Sequence, residues 1–201
     1  MSRLSFNLDR ASRHTYSYAY WDGLFSPGEL ADIQSYCDSL ELTEGLIKDN
    51  QQDHSLRKSD IALVNFEPSN EWLFQKLRGV AEFLNSEFYK FDLVGFDKFQ
   101  YTVYQEAGSE YVFHADIALG NALPPTSHLT RKLSFSLILS DPSEYTGGEF
   151  EFYTSNQQSH AVEQLKGRIF AFPSWVLHRV APIKTGTRKS LVFWVEGPRF
   201  R

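Results

Sequence analysis

Only one cysteine, Cys37, occurs in the 201 residues of the chain. A lone thiol cannot form an intramolecular disulfide, which excludes a disulfide-stapled scaffold and points to a reducing compartment. Positive charge is also scarce: 20 Lys and Arg against 25 Asp and Glu leave a net charge of −5, with no dense basic run. Phosphate recognition rests chiefly on Lys and Arg, so no nucleic-acid partner is expected. No apolar run approaches the roughly 18 residues of a membrane helix. The opening Met-Ser-Arg-Leu-Ser-Phe-Asn-Leu-Asp-Arg has no apolar core of the signal-peptide kind. These absences predict a cytoplasmic protein without membrane association. What the chain does have is apolar and aromatic content, 42 % and 15 %, which excludes a disordered chain and favours strands.

A chain of this length reads as one domain over residues 1–201, with helical support and edge strands in 1–95 and the β core in 96–201. Residues 1–15 are polar and aperiodic, a tail or an edge strand. Residues 16–25 alternate partially and predict a strand. Ser26-Pro27-Gly28-Glu29 starts a helix, with Ser26 as N-cap, Pro27 at the first helical position and Glu29 closing a capping box; that helix is expected to run through Leu30, Ile33, Gln34, Cys37 and Leu40. Residues 43–60 read as a loop or irregular strand, and 61–66 as a short apolar strand. Glu67-Pro68-Ser69-Asn70-Glu71 opens a second helix whose Trp72, Leu73, Leu77, Val80, Ala81 and Leu84 form a core stripe. Beyond Phe91 the period becomes two. Strands are predicted at 96–104, 112–117, 133–139, 149–153, 168–172, 178–183 and 190–195, with turn chemistry between them. Two helices followed by strands give a mainly β, α+β chain: a helix-supported sandwich or barrel. The one long connection, 118–131 with Pro124-Pro125, is either a lid or a mobile surface loop.

The chemistry centres on His114 and Asp116. On a strand, residues i and i+2 share a face, so this imidazole and carboxylate could close on one ion. His178, in a second strand-like run, offers a third ligand. Two histidines and a carboxylate make the facial triad of non-haem Fe(II) oxygenases, and zinc competes for the same set. Arg188 lies ten residues beyond His178, across Lys184-Thr185-Gly186-Thr187; a hairpin there would return it to the site, where its guanidinium could hold a carboxylate by two parallel hydrogen bonds. Lys189 is expected on the opposite strand face. His14, His54, His128 and His160 lack such company and read as surface residues.

The combination Tyr104-x3-Gly108-x2-Tyr111-x2-His114-x-Asp116, Asp141-Pro142, Gly147-Gly148-Glu149, Pro173-Ser174, His178-Arg179-Val180 and Gly186-x-Arg188 closely resembles the Fe(II)- and 2-oxoglutarate-dependent oxygenases of the prolyl 4-hydroxylase-like branch. Asp22-Gly-Leu-Phe-Ser-Pro-Gly-Glu, Arg57-Lys-Ser-Asp and Phe91-Asp-Leu-Val-Gly-Phe are similar to bacterial and phage members, so the likeness covers nearly the whole chain. The resemblance implies a double-stranded β-helix, the cupin-like jelly roll. It implies iron held by His114, Asp116 and His178, with 2-oxoglutarate and O2 as co-substrates and L-ascorbate as accessory reductant. Arg188 becomes the partner of the distal carboxylate, with Tyr104, Ser136 and Trp194 around it. Some relatives carry a tyrosine or threonine on the strand of Ser136. This chain reads Leu133-Ser-Phe-Ser-Leu-Ile-Leu there, which leaves the side chain that assists Arg188 open. Trp194 is a pocket wall or a core tryptophan, and Tyr111 reads as core with a substrate-facing role as the alternative. The implied reaction is hydroxylation of an unactivated C–H bond, with peptidyl proline as first substrate and Arg57, Lys58 and Asp60 on the rim. Asp116 itself favours hydroxylation over halogenation, which needs a small non-ligating residue at that place. A free amino acid or another small metabolite as substrate, and a non-catalytic jelly-roll binding module, are the alternatives.

Overall fold

The computed structural model describes residues 16–45, 56–117, 128–153 and 158–199. The greater part of the expected 118–131 connection, and His14 and His54, lie outside them. In chain order the elements are β1 (Ala19–Trp21), α1 (Pro27–Asp38), β2 (Thr43–Glu44), β3 (Arg57–Lys58), β4 (Asp60–Asn65), α2 (Glu71–Leu84), β5 (Lys98–Tyr104), β6 (Glu110–His114), β7 (Leu129–Ile138), β8 (Tyr145–Gly147), β9 (Phe150–Tyr153), β10 (Ser159–Ala161), β11 (Ile169–Pro173), β12 (His178–Val180), β13 (Ile183–Gly186) and β14 (Arg188–Pro198).

Among the described residues they form a seven-stranded sheet ordered β1-β11-β7-β14-β5-β4-β2, a five-stranded sheet ordered β10-β9-β12-β6-β3, and a β13-β8 ribbon. This is the double-stranded β-helix with supporting helices. Strand alternation explains why the large sheet can serve two cores at once. On β5, β7 and β14 the residues Phe99, Tyr101, Leu133, Phe135, Leu137, Leu191 and Phe193 pack with Ile33, Leu73, Leu77 and Leu84 of the helices. The intervening residues Gln100, Thr102, Tyr104, Ser136, Arg188, Ser190 and Trp194 point the other way and line a cavity. A second cluster, with Phe150, Phe152, Phe170, Phe172, Val180 and Ile183, fills the space between the sheets. Apolar alternation toward the helices therefore leaves the polar and aromatic alternation for the site.

The helix starts follow their local chemistry. Ser26 Oγ accepts from the Glu29 amide at 3.3 Å while the Ser26 amide donates to Glu29 Oε2 at 2.8 Å, the predicted capping box. The helix stops at Asp38, so Leu40 falls outside it. The second helix begins later than expected, after a 3₁₀ turn at Pro68–Asn70, and a π-helical segment, Asn85–Tyr89, follows it. Trp72 is not core: it is 44 % exposed, with its ring edge-on to Tyr36. At helix position 72 the apolar stripe of Leu73, Leu77, Val80 and Leu84 has already rotated past it.

Several strand expectations are corrected. The 16–25 strand shrinks to β1. The 178–183 strand is two short strands in different sheets, and β8 and β10 were not expected at all. Lys184 to Gly186 belongs to β13, which pairs with β8 and not with β12, so no hairpin links His178 to Arg188. β14 instead runs between β5 and β7 in the opposite sheet. The segment 118–131 is cut short at its end, because β7 already begins at Leu129.

Candidate metal centre and its cavity

His114 is the last residue of β6 and His178 the first of β12, and the two stand opposite each other in register. Asp116 lies beyond the end of β6, so strand alternation does not aim it, contrary to the expectation for 112–117. A crossing contact does. The Asp116 and Ile117 amides both donate to the Ser174 carbonyl, at 2.9 and 3.1 Å, bending the chain so that the carboxylate returns between the two imidazoles. One ligand atom from each of His114, Asp116 and His178 lies within 4.8 Å of the others.

The donor atoms are free in the right way. Nδ1 of His114 is 2.8 Å from the Val112 carbonyl, and Nδ1 of His178 is 3.0 Å from the Val176 carbonyl. A carbonyl only accepts, so each Nδ1 donates to it, which leaves each Nε2 as the nitrogen turned toward the site, the orientation that a metal ligand needs. Each Nε2 stands 3.6 Å from a different Asp116 oxygen, too far for a hydrogen bond. Asp116 Oδ2 is buried without a hydrogen-bond partner. Burial, and then the neighbouring His178, lower the His114 pKa to about 3, so this imidazole is neutral in water near neutrality. Burial alone would raise Asp116, but His178, His114 and the Ser134 hydroxyl outweigh it and hold the carboxyl below its usual range. A buried carboxylate flanked by two imidazoles whose Nε2 atoms turn toward it is a donor set that fits a divalent cation.

The three residues open into a cavity of about 770 Å³ that Arg188 also lines. Arg188 is the first residue of β14, directly opposite Tyr104 of β5. Only 1 % of it is exposed, no ion pair to it occurs among the described residues, and its Nη2 is buried without a partner. Lys189 faces outward as expected and pairs with Asp38 at 2.7 Å. Tyr104, Ser136 and Trp194 line the same cavity. Trp194 is a cavity wall and not a core residue; the Arg131 guanidinium stacks 4.0 Å above its ring. Tyr111, read as core, also lines the cavity. Its ring stacks on His114 with centroids 3.5 Å apart, and the Arg57 guanidinium lies over the same ring at 4.7 Å. Of the three expected rim residues Arg57 alone lines this space; Lys58 pairs with Glu106, and Asp60 accepts from Gln105. His128 and His160 are exposed, and neither lines the cavity.

Sequence reasoning missed Tyr145 and Gln164. The Tyr145 hydroxyl is buried beside the Arg188 guanidinium, which opposes the upward push of burial on its pKa. Gln164 Oε1 accepts from Arg188 Nε at 3.0 Å. Tyr145 sits in a three-residue strand and Gln164 in none, so neither carries a periodic signal.

The comparisons with known proteins agree with this geometry. Residues 99–196 match the model of the 2OG-Fe(II) oxygenase superfamily. A PKHD-type hydroxylase of Parvibaculum lavamentivorans is 38 % identical over 90 residues, 44 % of this chain and 39 % of that protein. The chain thus spans about two-fifths of the length of the curated relatives it matches. In three dimensions it resembles a Pseudomonas putida prolyl-4-hydroxylase, with a TM-score of 0.70 at 18 % identity over 96 % of both chains. It also resembles a Trichoplax adhaerens prolyl hydroxylase solved with a hypoxia inducible factor peptide fragment, with a TM-score of 0.69 at 14 % identity over 89 % of this chain and 83 % of that one. At such identities the structural likeness speaks for the fold. The segment that matches the 2OG-Fe(II) oxygenase superfamily model, residues 99–196, holds the whole histidine–carboxylate cluster and the buried arginine.

Proposed function

We propose that the chain is a dioxygenase that couples oxidative decarboxylation of 2-oxoglutarate to hydroxylation of an unactivated C–H bond. The observation that carries this reading is the meeting, in one cavity, of the His114, Asp116 and His178 cluster with a buried arginine that lacks an anion among the described residues. His114, Asp116 and His178 would hold Fe(II), which supplies open coordination positions where 2-oxoglutarate and oxygen can react. Arg188 binds the far carboxylate of 2-oxoglutarate, a fork geometry that lysine does not offer. A buried cation without a counter-ion is costly, and the dicarboxylate meets that need when it arrives. Tyr104, opposite Arg188, and Ser136 wall the same end. Trp194, with Arg131 stacked on it, and Tyr111 enclose the cavity around the ligand cluster and limit water there.

Peptidyl proline is the proposed substrate. Among the described residues the cavity lining runs from the ligand cluster past Gln100 and Lys98 to Leu63, which is 57 % exposed, and an opening on that side supports an extended chain as substrate. Proline-containing peptides and free amino acids are to be incubated with Fe(II), ascorbate and 2-oxoglutarate, with succinate and an added oxygen atom as readouts. We expect succinate in step with hydroxyproline in the peptide. Hydroxylation of a free amino acid alone would overturn the peptide substrate, and absence of succinate with every substrate would overturn the enzyme reading. In the same assay Arg188→Ala should weaken 2-oxoglutarate binding roughly thirtyfold or more, as expected for a lost buried charged pair, while Lys189→Ala leaves it unchanged.

A further inference from the structure

Arg188 must present its guanidinium to the cavity, and what holds it there is an amide. Its Nε donates to Gln164 Oε1 at 3.0 Å, and Gln164 Nε2 donates in turn to the Gly148 carbonyl at 3.1 Å. Arg188 Nη1 reaches Ser190 Oγ at 3.3 Å, and the Tyr104 ring lies 5.6 Å from the guanidinium carbon. Among the described residues Nη2 is buried without a hydrogen-bond partner, and the buried Tyr145 hydroxyl lies beside the guanidinium. Gln164, Ser190, Tyr104 and Tyr145 are all uncharged side chains, and no ion pair to Arg188 occurs among the described residues.

We propose that Gln164 is a positioning residue that sets the charge of the co-substrate. The inference rests on the reading of Arg188 as the partner of the distal carboxylate. An amide is the group that can do both jobs at once: its oxygen accepts from Arg188 and its nitrogen donates to Gly148. It orients the guanidinium without neutralising it, so the whole positive charge remains for the far end of a dicarboxylic 2-oxo acid. A glutamate at 164 would pair with Arg188, cancel that charge, and set an acceptor against the Gly148 carbonyl. A methionine of similar length would keep the volume and remove both hydrogen bonds. Gln164 can act in this way although it belongs to no strand, because Val162, two residues before it, is buried and its amide donates to the Phe150 carbonyl at 2.9 Å, which anchors the segment.

The test uses the full chain loaded with Mn(II) as a redox-inert stand-in for iron. Calorimetric titrations compare 2-oxoglutarate with 2-oxopentanoate, the same five-carbon 2-oxo acid with a methyl in place of the distal carboxylate. In Gln164→Met, 2-oxoglutarate should bind about tenfold more weakly, with 2-oxopentanoate and Mn(II) unchanged. In Gln164→Glu, 2-oxoglutarate should weaken about a hundredfold or more while 2-oxopentanoate does not, so that the preference between them collapses. A preference kept at the wild-type value in both Gln164 variants, while Arg188→Ala abolishes it, overturns the role of Gln164 and leaves that of Arg188 standing. An Arg188→Ala protein that keeps the preference overturns the carboxylate reading itself. Equal loss of both 2-oxo acids together with Mn(II) in Gln164→Met is the behaviour of a merely structural residue, and it also overturns the proposal.

Discussion

His114 and Arg188 are both buried beside the same cavity, and burial has opposite consequences for them. Imidazole can shed its charge, and at His114 burial and the nearby His178 lower the pKa to about 3. Arginine cannot, so Arg188 keeps its charge and awaits a partner. The His114 shift has a measurable cost in acid. Below the ordinary histidine pKa of about 6.5 the unfolded chain takes up a proton that the folded chain refuses, so stability is complete above that pH and falls as the pH drops toward 3. Asp116, held below its usual range, loses stability in the same direction but only at lower pH. We expect the urea midpoint of metal-free protein to fall from pH 7 to pH 5, with His114 contributing at most about 1.4 kcal/mol per pH unit. His114→Asn should flatten that profile; an unaltered slope in the variant would show that the imidazole is not held neutral. The same residues mark how far the sequence could be read. His178 and Arg188 were visible as types at a distance along the chain, and the outward turn of Lys189 followed from strand alternation. The aim of Asp116 did not follow, because it depends on the Ser174 carbonyl from another part of the chain.

Among the elements, the junction of β8 and β9 controls the arginine end of the cavity. Gly147 and Gly148 have φ of +74° and +67°, a left-handed pair that turns the chain sharply before Phe150. A Cβ on Gly148 would collide with Ile183 Cδ1 and sit 3.1 Å from Arg188 Cδ. Gly148→Ala should therefore lower stability by about 1–3 kcal/mol and weaken 2-oxoglutarate binding, with Mn(II) affinity retained. Chemical denaturation and calorimetry check the two parts, and a variant that binds 2-oxoglutarate like the wild type would show that the arginine has room to move. The glycine pair was legible as a turn. Its place beside Arg188 was not, since β8 pairs with β13 across a long stretch of chain.

For the molecule as a whole, the ligand cluster ties two β-strands and the bend after one of them to the turn at Ser174, and the large sheet is backed by both helices. An ion bound there should stabilise the entire fold. At a free Mn(II) concentration of about 100 times its dissociation constant the gain is about 2.7 kcal/mol, read as a rise in the thermal midpoint. His178→Ala should remove that rise; a midpoint that climbs equally in the variant would place the ion elsewhere. No helix among the described residues is long and apolar enough to cross a membrane. The sequence by itself determined the types and positions of the candidate ligand side chains, the capping box that starts the first helix, and the two-residue period whose apolar half faces the helices. Those are local properties of neighbouring residues. The tertiary structure alone decided that His178 and Arg188 come from opposite sheets, that Trp72 lies outside the core while Tyr111 and Trp194 face the cavity, and that Tyr145 and Gln164 surround the arginine. Each of these depends on which distant strands pair, and strand pairing is a long-range choice that a period of two, common to every strand, cannot encode.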